Sequence, residues 1–216
     1  MTRNLKALGL ALIAVFAMGA IVASSASATS FHFNSNAADG HTILNGEQIG
    51  VHKFNTTAGE VTCEVAKFTG TTTSNTVTDV TIKPTYEKCH IVIFGSKVSA
   101  TVNMNGCEYT ATSHQTVAGV TTAATIHLVN CTKEAEVVAA GCTVKIATGQ
   151  TLGGQTFSNG AGDVKLVTNT EGIKYSHSGF TCGTGSGSNG TYKGETTIKG
   201  TNTVGGSLTV SYDVAP

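Results

Sequence analysis

Apolar and polar residues alternate with a period of two wherever the chain shows a clear pattern beyond residue 28. The segments 97–104 and 207–214 show it best, and shorter runs follow the same rule near residues 126, 144, 164 and 173. A period of two places the apolar side chains on one face of a strand. One packed face and one wet face are typical of antiparallel sheets. The pattern therefore predicts an all-β, antiparallel, β-sandwich-like domain.

Turn signals separate these runs at short intervals. Asparagine or aspartate followed by glycine is the favoured pair for tight turns, because both residues tolerate positive φ. Turns are predicted at Asp39-Gly40, Asn45-Gly46, Asn105-Gly106, Asn159-Gly160 and Asn189-Gly190. The run Gly185–Gly190 matches G-x-G-x-x-G, but no helical pattern follows it, as a dinucleotide site would need. We interpret this run as a flexible glycine- and serine-rich loop.

Only one segment beyond the N-terminus has local helical propensity. It is the short run Lys133–Ala140, with the sequence KEAEVVAA, and it lies between Cys131 and Cys142. Its length and this position predict a turn or a single helical turn, and not a full helix.

The N-terminus has the three parts of a secretory signal. Arg3 and Lys6 supply positive charge, residues 7–23 are apolar, and Ala26-Ser27-Ala28 is a small-residue cleavage motif. This order predicts a signal peptide over residues 1–28 and a secreted or cell-surface domain over residues 29–216. An uncleaved membrane anchor is the alternative, since the apolar run is slightly longer than usual for a signal.

The composition excludes two classes of partner. Charged residues make up 12% of the chain and its net charge is zero, while threonine alone is one residue in six. The charged fraction is about half the norm for globular proteins, which is about 25%. Such a surface has too few clustered positive charges to gain binding free energy from the release of counterions on nucleic acid, and it has no basic patch for an anionic membrane. We expect no nucleic-acid partner and no membrane contact beyond export.

Six cysteines follow the predicted signal, namely Cys63, Cys89, Cys107, Cys131, Cys142 and Cys182. An even number in an exported chain predicts three disulfides. The absence of any C-x-x-C motif in the sequence weakens redox and zinc hypotheses. The preferred pairing joins Cys89 to Cys107, Cys131 to Cys142 and Cys63 to Cys182. Hairpin pairings of Cys63 with Cys89 and of Cys107 with Cys131 are the alternative.

Two segments of the chain share a short pattern. Residues 59–63 and 179–182 each contain a glycine, an apolar residue and Thr-Cys, and both are followed by an aromatic-x-Gly sequence and threonines. We interpret the match as a candidate internal duplication. It would divide the domain into two similar lobes near residues 50–105 and 165–216.

Several spaced motifs carry a resemblance across most of the mature chain. They are Thr62-Cys63, Tyr86-Glu87-Lys88-Cys89, residues 105–109 (NGCEY), Cys131, residues 141–146 (GCTVKI), Gln150 and Tyr192-Lys193-Gly194. This arrangement resembles uncharacterised secreted β-rich proteins of high-GC soil actinobacteria. The resemblance implies export and a β-rich fold, and it implies no activity.

Candidate catalytic chemistry is sparse in the sequence. No G-x-S-x-G motif occurs, and each of the seven histidines is expected at the surface. A glycoside hydrolase would need two facing carboxylates, and the candidates are Glu60, Glu64, Asp79, Glu87, Glu108 and Asp163. Asp39 or Asp163 could contribute to a loop calcium site. None of these patterns predicts a cofactor or a resident metal.

The sequence therefore favours a secreted or cell-surface protein without enzymatic activity. Its role would be structural or ligand-binding, and its partner an extracellular ligand or a cell-wall component. Two alternatives are a secreted hydrolase acting on polysaccharide and an inhibitor of extracellular proteases. Facing acids in a cleft would favour the hydrolase, and a protruding, disulfide-tethered loop at residues 132–141 would favour the inhibitor.

Overall fold

A computed structural model describes residues 31–113 and 122–214, and these ranges form strands and turns without helix. The predicted signal peptide lies outside the described residues. No membrane-spanning helix occurs in the described part of the chain. The strands are β1 (Phe31–Ser35), β2 (Thr42–Gln48), β3 (His52–Thr56), β4 (Gly59–Thr72), β5 (Thr76–Val77), β6 (Asp79–Ile93), β7 (Ser96–Asn103), β8 (Glu108–Ser113), β9 (Thr122–Val129), β10 (Ala135–Ala139), β11 (Cys142–Ile146), β12 (Thr151–Asn159), β13 (Val164–Gly179), β14 (Gly183–Thr201), β15 (Ser207–Leu208) and β16 (Val210–Val214).

Thirteen of these strands form one antiparallel sheet that closes on itself. Four positions are long strands, which form the adjacent pairs β4–β6 and β13–β14, and four are interrupted strands, which are β2–β3, β7–β8, β9–β10 and β11–β12. Each of these eight positions pairs with its neighbour in the chain, and β14 returns to pair with β2 and β3. The result is an eight-position up-and-down barrel. Closure leaves few strand edges exposed.

The ladder is irregular at one level around the barrel, which we call the waist. The interrupted strands break at residues 49–51, 104–107, 130–134 and 147–150. Pairing on either side places the breaks at 104–107, 130–134 and 147–150 next to one another, whereas the break at 49–51 lies between β4 and β14. The register of β13 also shifts between Thr170 and Ile173 at this level. Backbone groups at the waist therefore need partners other than a regular ladder.

Gln150 supplies such partners in the gap between residues 147–150 and β13. Its Nε2 donates to the carbonyl oxygens of Ala147 (2.7 Å) and Lys174 (3.0 Å). Its Oε1 accepts from the Lys174 N–H at 2.6 Å. The Gln150 side chain is buried. The Gln150 amide thus supplies hydrogen bonds to backbone groups at a gap where the strand pairing is irregular.

Apolar side chains fill both ends of the barrel. One half of the barrel, which we call the upper half, packs around Val61, Val137 and Tyr175. It contains the turns at residues 57–58, 94–95, 140–141 and 180–182. The other end is covered by a small sheet of β16, β1 and β5. Phe33 and Val210 from this small sheet are buried against Leu44 and other apolar residues of the lower half.

The predicted all-β, antiparallel, disulfide-stapled class is confirmed. The two layers predicted as a sandwich correspond to opposite walls of one barrel, and both walls face its interior. The alternation predicted for residues 97–104 is also present, since Ala100 is buried while Lys97, Ser99, Thr101 and Asn103 are exposed. The segments near 50–105 and 165–216 both contribute to the same closed sheet. Their origin by duplication stays a prediction.

The prediction of a turn or helical turn at Lys133–Ala140 is wrong. Residues 135–139 form strand β10, which pairs with β7 and β11. Ala135, Val137 and Ala139 are buried in alternation along this strand. Burial of the alternate residues on two neighbouring strands outweighs the local helical propensity.

The turn predictions are confirmed at some positions and fail at others. Asp39 and Gly40 lie in a turn, where Gly40 has a φ of 75°, and Asn159-Gly160 begins the turn that joins β12 to β13. Asn105 and Gly106 both have positive φ, at 49° and 77°. Asn45-Gly46 and Asn189-Gly190 instead lie inside strands β2 and β14, and the whole run Gly185–Gly190, interpreted as a flexible loop, also belongs to β14. Glycine is needed at these strand positions because neighbouring atoms occupy the space of a side chain. A Cβ at Gly46, for example, would lie 2.9 Å from the Phe68 Cβ.

All six cysteines form disulfides, but the preferred pairing is wrong. The bonds are Cys63–Cys89, Cys107–Cys131 and Cys142–Cys182. Cys63 and Cys89 lie directly opposite each other on β4 and β6, with Cα atoms 3.9 Å apart. The first two bonds are the hairpin pairings considered as alternatives. The decisive feature is the up-and-down order of the strands, which brings neighbouring segments together.

Candidate ligand-binding cavity

The barrel encloses a cavity of about 100 Å³ at the waist. All eight strand positions contribute to its wall, and most of the lining is apolar. Val102, Ile126, Leu128 and Leu166 are among its apolar residues. An eight-position barrel has an interior wide enough to be filled by side chains or to hold one small ligand. Here the side chains leave part of that interior open.

One wall of the cavity carries a chain of hydrogen bonds that we call the tyrosine relay. The Tyr109 hydroxyl lies 3.2 Å from that of Tyr86, and Tyr86 lies 2.9 Å from Tyr192. The Tyr192 hydroxyl contacts His52 Nδ1 at 2.5 Å. His52 Nε2 lies 3.1 Å from the backbone oxygen of Glu195. Four side chains from four strand positions thus form one connected network.

The direction of every hydrogen bond in the relay follows from its Glu195 end. A carbonyl oxygen only accepts, so His52 Nε2 carries the proton and His52 Nδ1 accepts from Tyr192. Tyr192 must then accept from Tyr86, and Tyr86 from Tyr109. The proton of Tyr109 is therefore used within the relay. The Tyr109 oxygen then has only its lone pairs left, so it can accept a further hydrogen bond but cannot donate one.

Burial keeps the tyrosine relay uncharged. Desolvation raises the pKa of Tyr86 and Tyr192 well above the ordinary phenol value, and it raises the pKa of Tyr109 as well. Burial also lowers the pKa of His52 below its ordinary value of 6.5, although its bond to the Glu195 carbonyl opposes this shift. Protonated phenols and a neutral imidazole are the stable forms in such an apolar site.

A glycine makes room for the buried imidazole. Inward-facing residues alternate along β14, so that Tyr192, Gly194 and Thr196 share one face. A Cβ on Gly194 would lie 2.5 Å from His52 Nδ1 and 2.6 Å from its Cε1. No real side chain fits there. The Tyr192-Lys193-Gly194 sequence therefore supplies both a hydrogen-bond partner for His52 and the space that its ring occupies.

Gln155 places a second polar group beside the cavity. Its side chain is 2% exposed, and its Nε2 donates to Thr170 Oγ1 at 2.6 Å. Gln155 Oε1 has no hydrogen-bond partner among the described residues. An unpaired buried carbonyl oxygen costs about 1–3 kcal/mol. A donor placed in the cavity next to Gln155 would remove that cost.

The carboxylates considered for hydrolysis lie apart on the outer surface. Glu60 pairs with Lys53 and Glu64 with Lys97, each at 3.0 Å. Glu108 pairs with Lys83 at 3.3 Å. Asp79, Glu87 and Asp163 do not line the cavity. The structure therefore brings no two of these acids together across a cleft in the described residues.

The candidate metal and cysteine sites also lie apart from any ligand cluster. Among residues 31–113 and 122–214, no three histidine, cysteine or acidic side chains could jointly hold a metal ion. Asp39 Oδ1 instead accepts from the backbone N–H of His41 at 3.0 Å. The cysteines are consumed by their disulfides, and of the six only Cys63 touches the cavity.

Sequence reasoning missed the role of the relay residues. His52 was expected at the surface with the other histidines, but it is 3% exposed. Its spacing contained the signal, because His52 and Phe54 both face inward on β3. The three tyrosines occur in motifs that stand out in the sequence. Their convergence depends on closure of the barrel, which brings β3 next to β14.

Comparisons with protein-family models, with curated proteins and with solved structures find no match for this chain. The fold and the lining of the cavity are therefore the basis for a functional conclusion.

Proposed function

We propose that this protein is an exported binding protein that holds a small, neutral molecule in the cavity at the barrel waist. The observation that carries this proposal is the combination of an open apolar interior with the tyrosine relay on one wall. Ligand sites are typically apolar cavities with a few polar groups that fix orientation. Gln155, with its unpartnered oxygen, adds a second such group.

The protonation of the relay favours binding over catalysis. A general acid or base works best when its pKa lies near the operating pH. Burial moves the pKa of the phenols up and that of His52 down, away from each other. These groups can orient a ligand by hydrogen bonding, but they are poor donors or acceptors of whole protons. A non-enzymatic role fits this property.

The features that would have favoured the two alternatives are not found in the described residues. The candidate acids for a hydrolase lie in separate ion pairs on the outer surface. The segment 132–141, expected to protrude in an inhibitor, contains barrel strand β10. Of the three hypotheses, ligand binding is therefore the one that a site among the described residues supports.

Export is part of this proposal. Three disulfides indicate an oxidising environment such as the extracellular space. The signal over residues 1–28 would take the chain there. Once outside, the protein would meet its ligand as a free molecule, and the disulfides would keep the barrel closed around it.

A nuclear magnetic resonance titration of the exported, 15N-labelled protein tests the proposal. Xenon and a set of small neutral compounds should produce saturable shifts confined to residues around the cavity, because largely apolar cavities of about this size bind such probes. Val102→Phe places a ring in the cavity and should abolish the shifts. Val204→Phe is the matched control, since Val204 is 89% exposed. Absence of saturable shifts in the unaltered protein would overturn the proposal.

A further inference from the structure

The volume of the cavity limits the size of its ligand. An apolar cavity of about 150 Å³ binds benzene. The present cavity measures about 100 Å³. By comparison with benzene, it therefore suits a molecule of about four non-hydrogen atoms. A ring compound would require the lining side chains to move.

The polarity of the cavity is set by the direction of the tyrosine relay. Because His52 Nδ1 accepts from Tyr192, each hydroxyl donates toward His52, and Tyr109 is left with acceptor lone pairs only. The unpartnered atom of Gln155, its Oε1, is also an acceptor, while its Nε2 donates one N–H to Thr170. Two separate oxygens beside the cavity, those of Tyr109 and Gln155, can thus each accept a hydrogen bond that no described residue donates.

Charge narrows the class further. Glu136 is the only ionisable carboxylate that contributes to the described wall, and it lies 3.6 Å from Lys145. No lysine or arginine contributes to that wall. An anionic ligand would therefore meet acceptor oxygens without a compensating cation, and a cation would lose its hydration while Glu136 is already paired with Lys145. A neutral ligand avoids both costs.

We propose that the cavity selects a short-chain alcohol, or a molecule of similar size with one hydroxyl, which donates its hydrogen bond to Tyr109 or Gln155. This inference rests on the proposed binding function and specifies its ligand class. Ketones of the same shape can only accept, so they leave both protein acceptors unpaired. The relay therefore distinguishes two molecules that differ only in hydrogen-bonding character.

Titration of the exported protein with 2-propanol and with acetone tests this choice, because the two have nearly the same shape. A net hydrogen bond changes affinity by about fivefold. We expect 2-propanol to bind about fivefold more tightly than acetone, with saturable shifts at the residues around the cavity. Equal affinities, or tighter binding of acetone, would overturn the inference.

Tyr86→Phe changes the polarity of the cavity without adding atoms. Loss of the Tyr86 oxygen frees the proton of Tyr109, which can then donate into the cavity. The affinity for acetone should rise until it is about equal to that for 2-propanol. Tyr175→Phe is the matched control, because Tyr175 is also buried but does not line the cavity. An unchanged preference for the alcohol in a folded Tyr86→Phe protein would overturn Tyr109 as its acceptor and leave Gln155 Oε1 in that role.

The outcomes separate the two proposals. If xenon binds and neither 2-propanol nor acetone does, the ligand class is wrong and the binding function stands. If xenon also gives no saturable shift, the binding function falls. The comparison in the unaltered protein decides the ligand class even if Tyr86→Phe does not fold.

Discussion

Gly194 lies against the imidazole of His52 so closely that a Cβ at this glycine would come within 2.5 Å of His52 Nδ1. The ring and the glycine belong to neighbouring barrel strands, β3 and β14. Their contact positions the acceptor at which the tyrosine relay ends. Substitution of Gly194 is therefore a direct test of the relay.

Gly194→Ala should lower the free energy of unfolding by about 1–3 kcal/mol, the usual cost of overpacking a core. It should also shift the resonances of Tyr192, because His52 has to move. Gly153→Ala is the control, since a Cβ there meets no atom within 4 Å and its φ is not in the left-handed region. Equal stabilities of the two variants, measured by urea unfolding, would contradict the contact.

Stability should decrease as the pH falls below about 6.5 because of His52. The folded protein resists protonation of this buried imidazole, whereas the unfolded chain takes up a proton near the ordinary histidine pKa of 6.5. The unfolded state then binds more protons, and acid favours it. Unfolding measured between pH 7 and pH 5 should show this slope. His52→Gln should reduce the slope, and an equal slope in that variant would assign it to other groups.

Tyr86, Tyr109 and Tyr192 should resist ionisation in the folded protein. Burial raises the pKa of all three phenols. In a spectrophotometric alkaline titration, at least these three of the five tyrosines should ionise above the ordinary value of 10, together with unfolding. The unfolded chain releases protons first as the pH rises, so alkali should destabilise the fold. Ionisation of all five tyrosines near pH 10 without unfolding would contradict the buried relay.

Gln150→Leu should destabilise the protein by about 2–3 kcal/mol. It removes three hydrogen bonds to backbone groups, each with a net value of about 1 kcal/mol. Gln48→Leu is the control, because Gln48 donates one exposed hydrogen bond to the Glu64 carbonyl oxygen. Chemical unfolding of both variants checks this. A loss at Gln150 no greater than that at Gln48 would show that the waist does not depend on its amide.

Peptide mapping without reduction should recover three linked pairs, Cys63–Cys89, Cys107–Cys131 and Cys142–Cys182. Each closes a loop of moderate length, and removal of one bond should cost between about 3 and 4 kcal/mol in the chain-entropy model. A peptide linking Cys131 to Cys142 would contradict the strand order. Each cysteine-to-alanine pair can be compared with the unaltered protein by thermal unfolding.

Several features of this protein were determined by the sequence alone. The period-two pattern at residues 97–104 predicts an exposed and a buried face, because adjacent side chains in a strand point to opposite sides. The even cysteine number predicts disulfides. Asn105-Gly106 predicts a tight turn, because the local backbone there requires positive φ. Each of these depends on interactions within a few residues or on the chemistry of one residue type.

Tertiary structure decided which segments meet. Lys133–Ala140 has helical propensity, yet burial between β7 and β11 makes it a strand. Asn45-Gly46 and Asn189-Gly190 read as turns, yet neighbouring side chains need the space that their glycines leave. The cysteine pairing, the relay and the contact of Gly194 with His52 all depend on closure of the sheet, which brings β14 back to β2 and β3. That closure joins residues about 140 positions apart, a distance over which local patterns carry no information about contact.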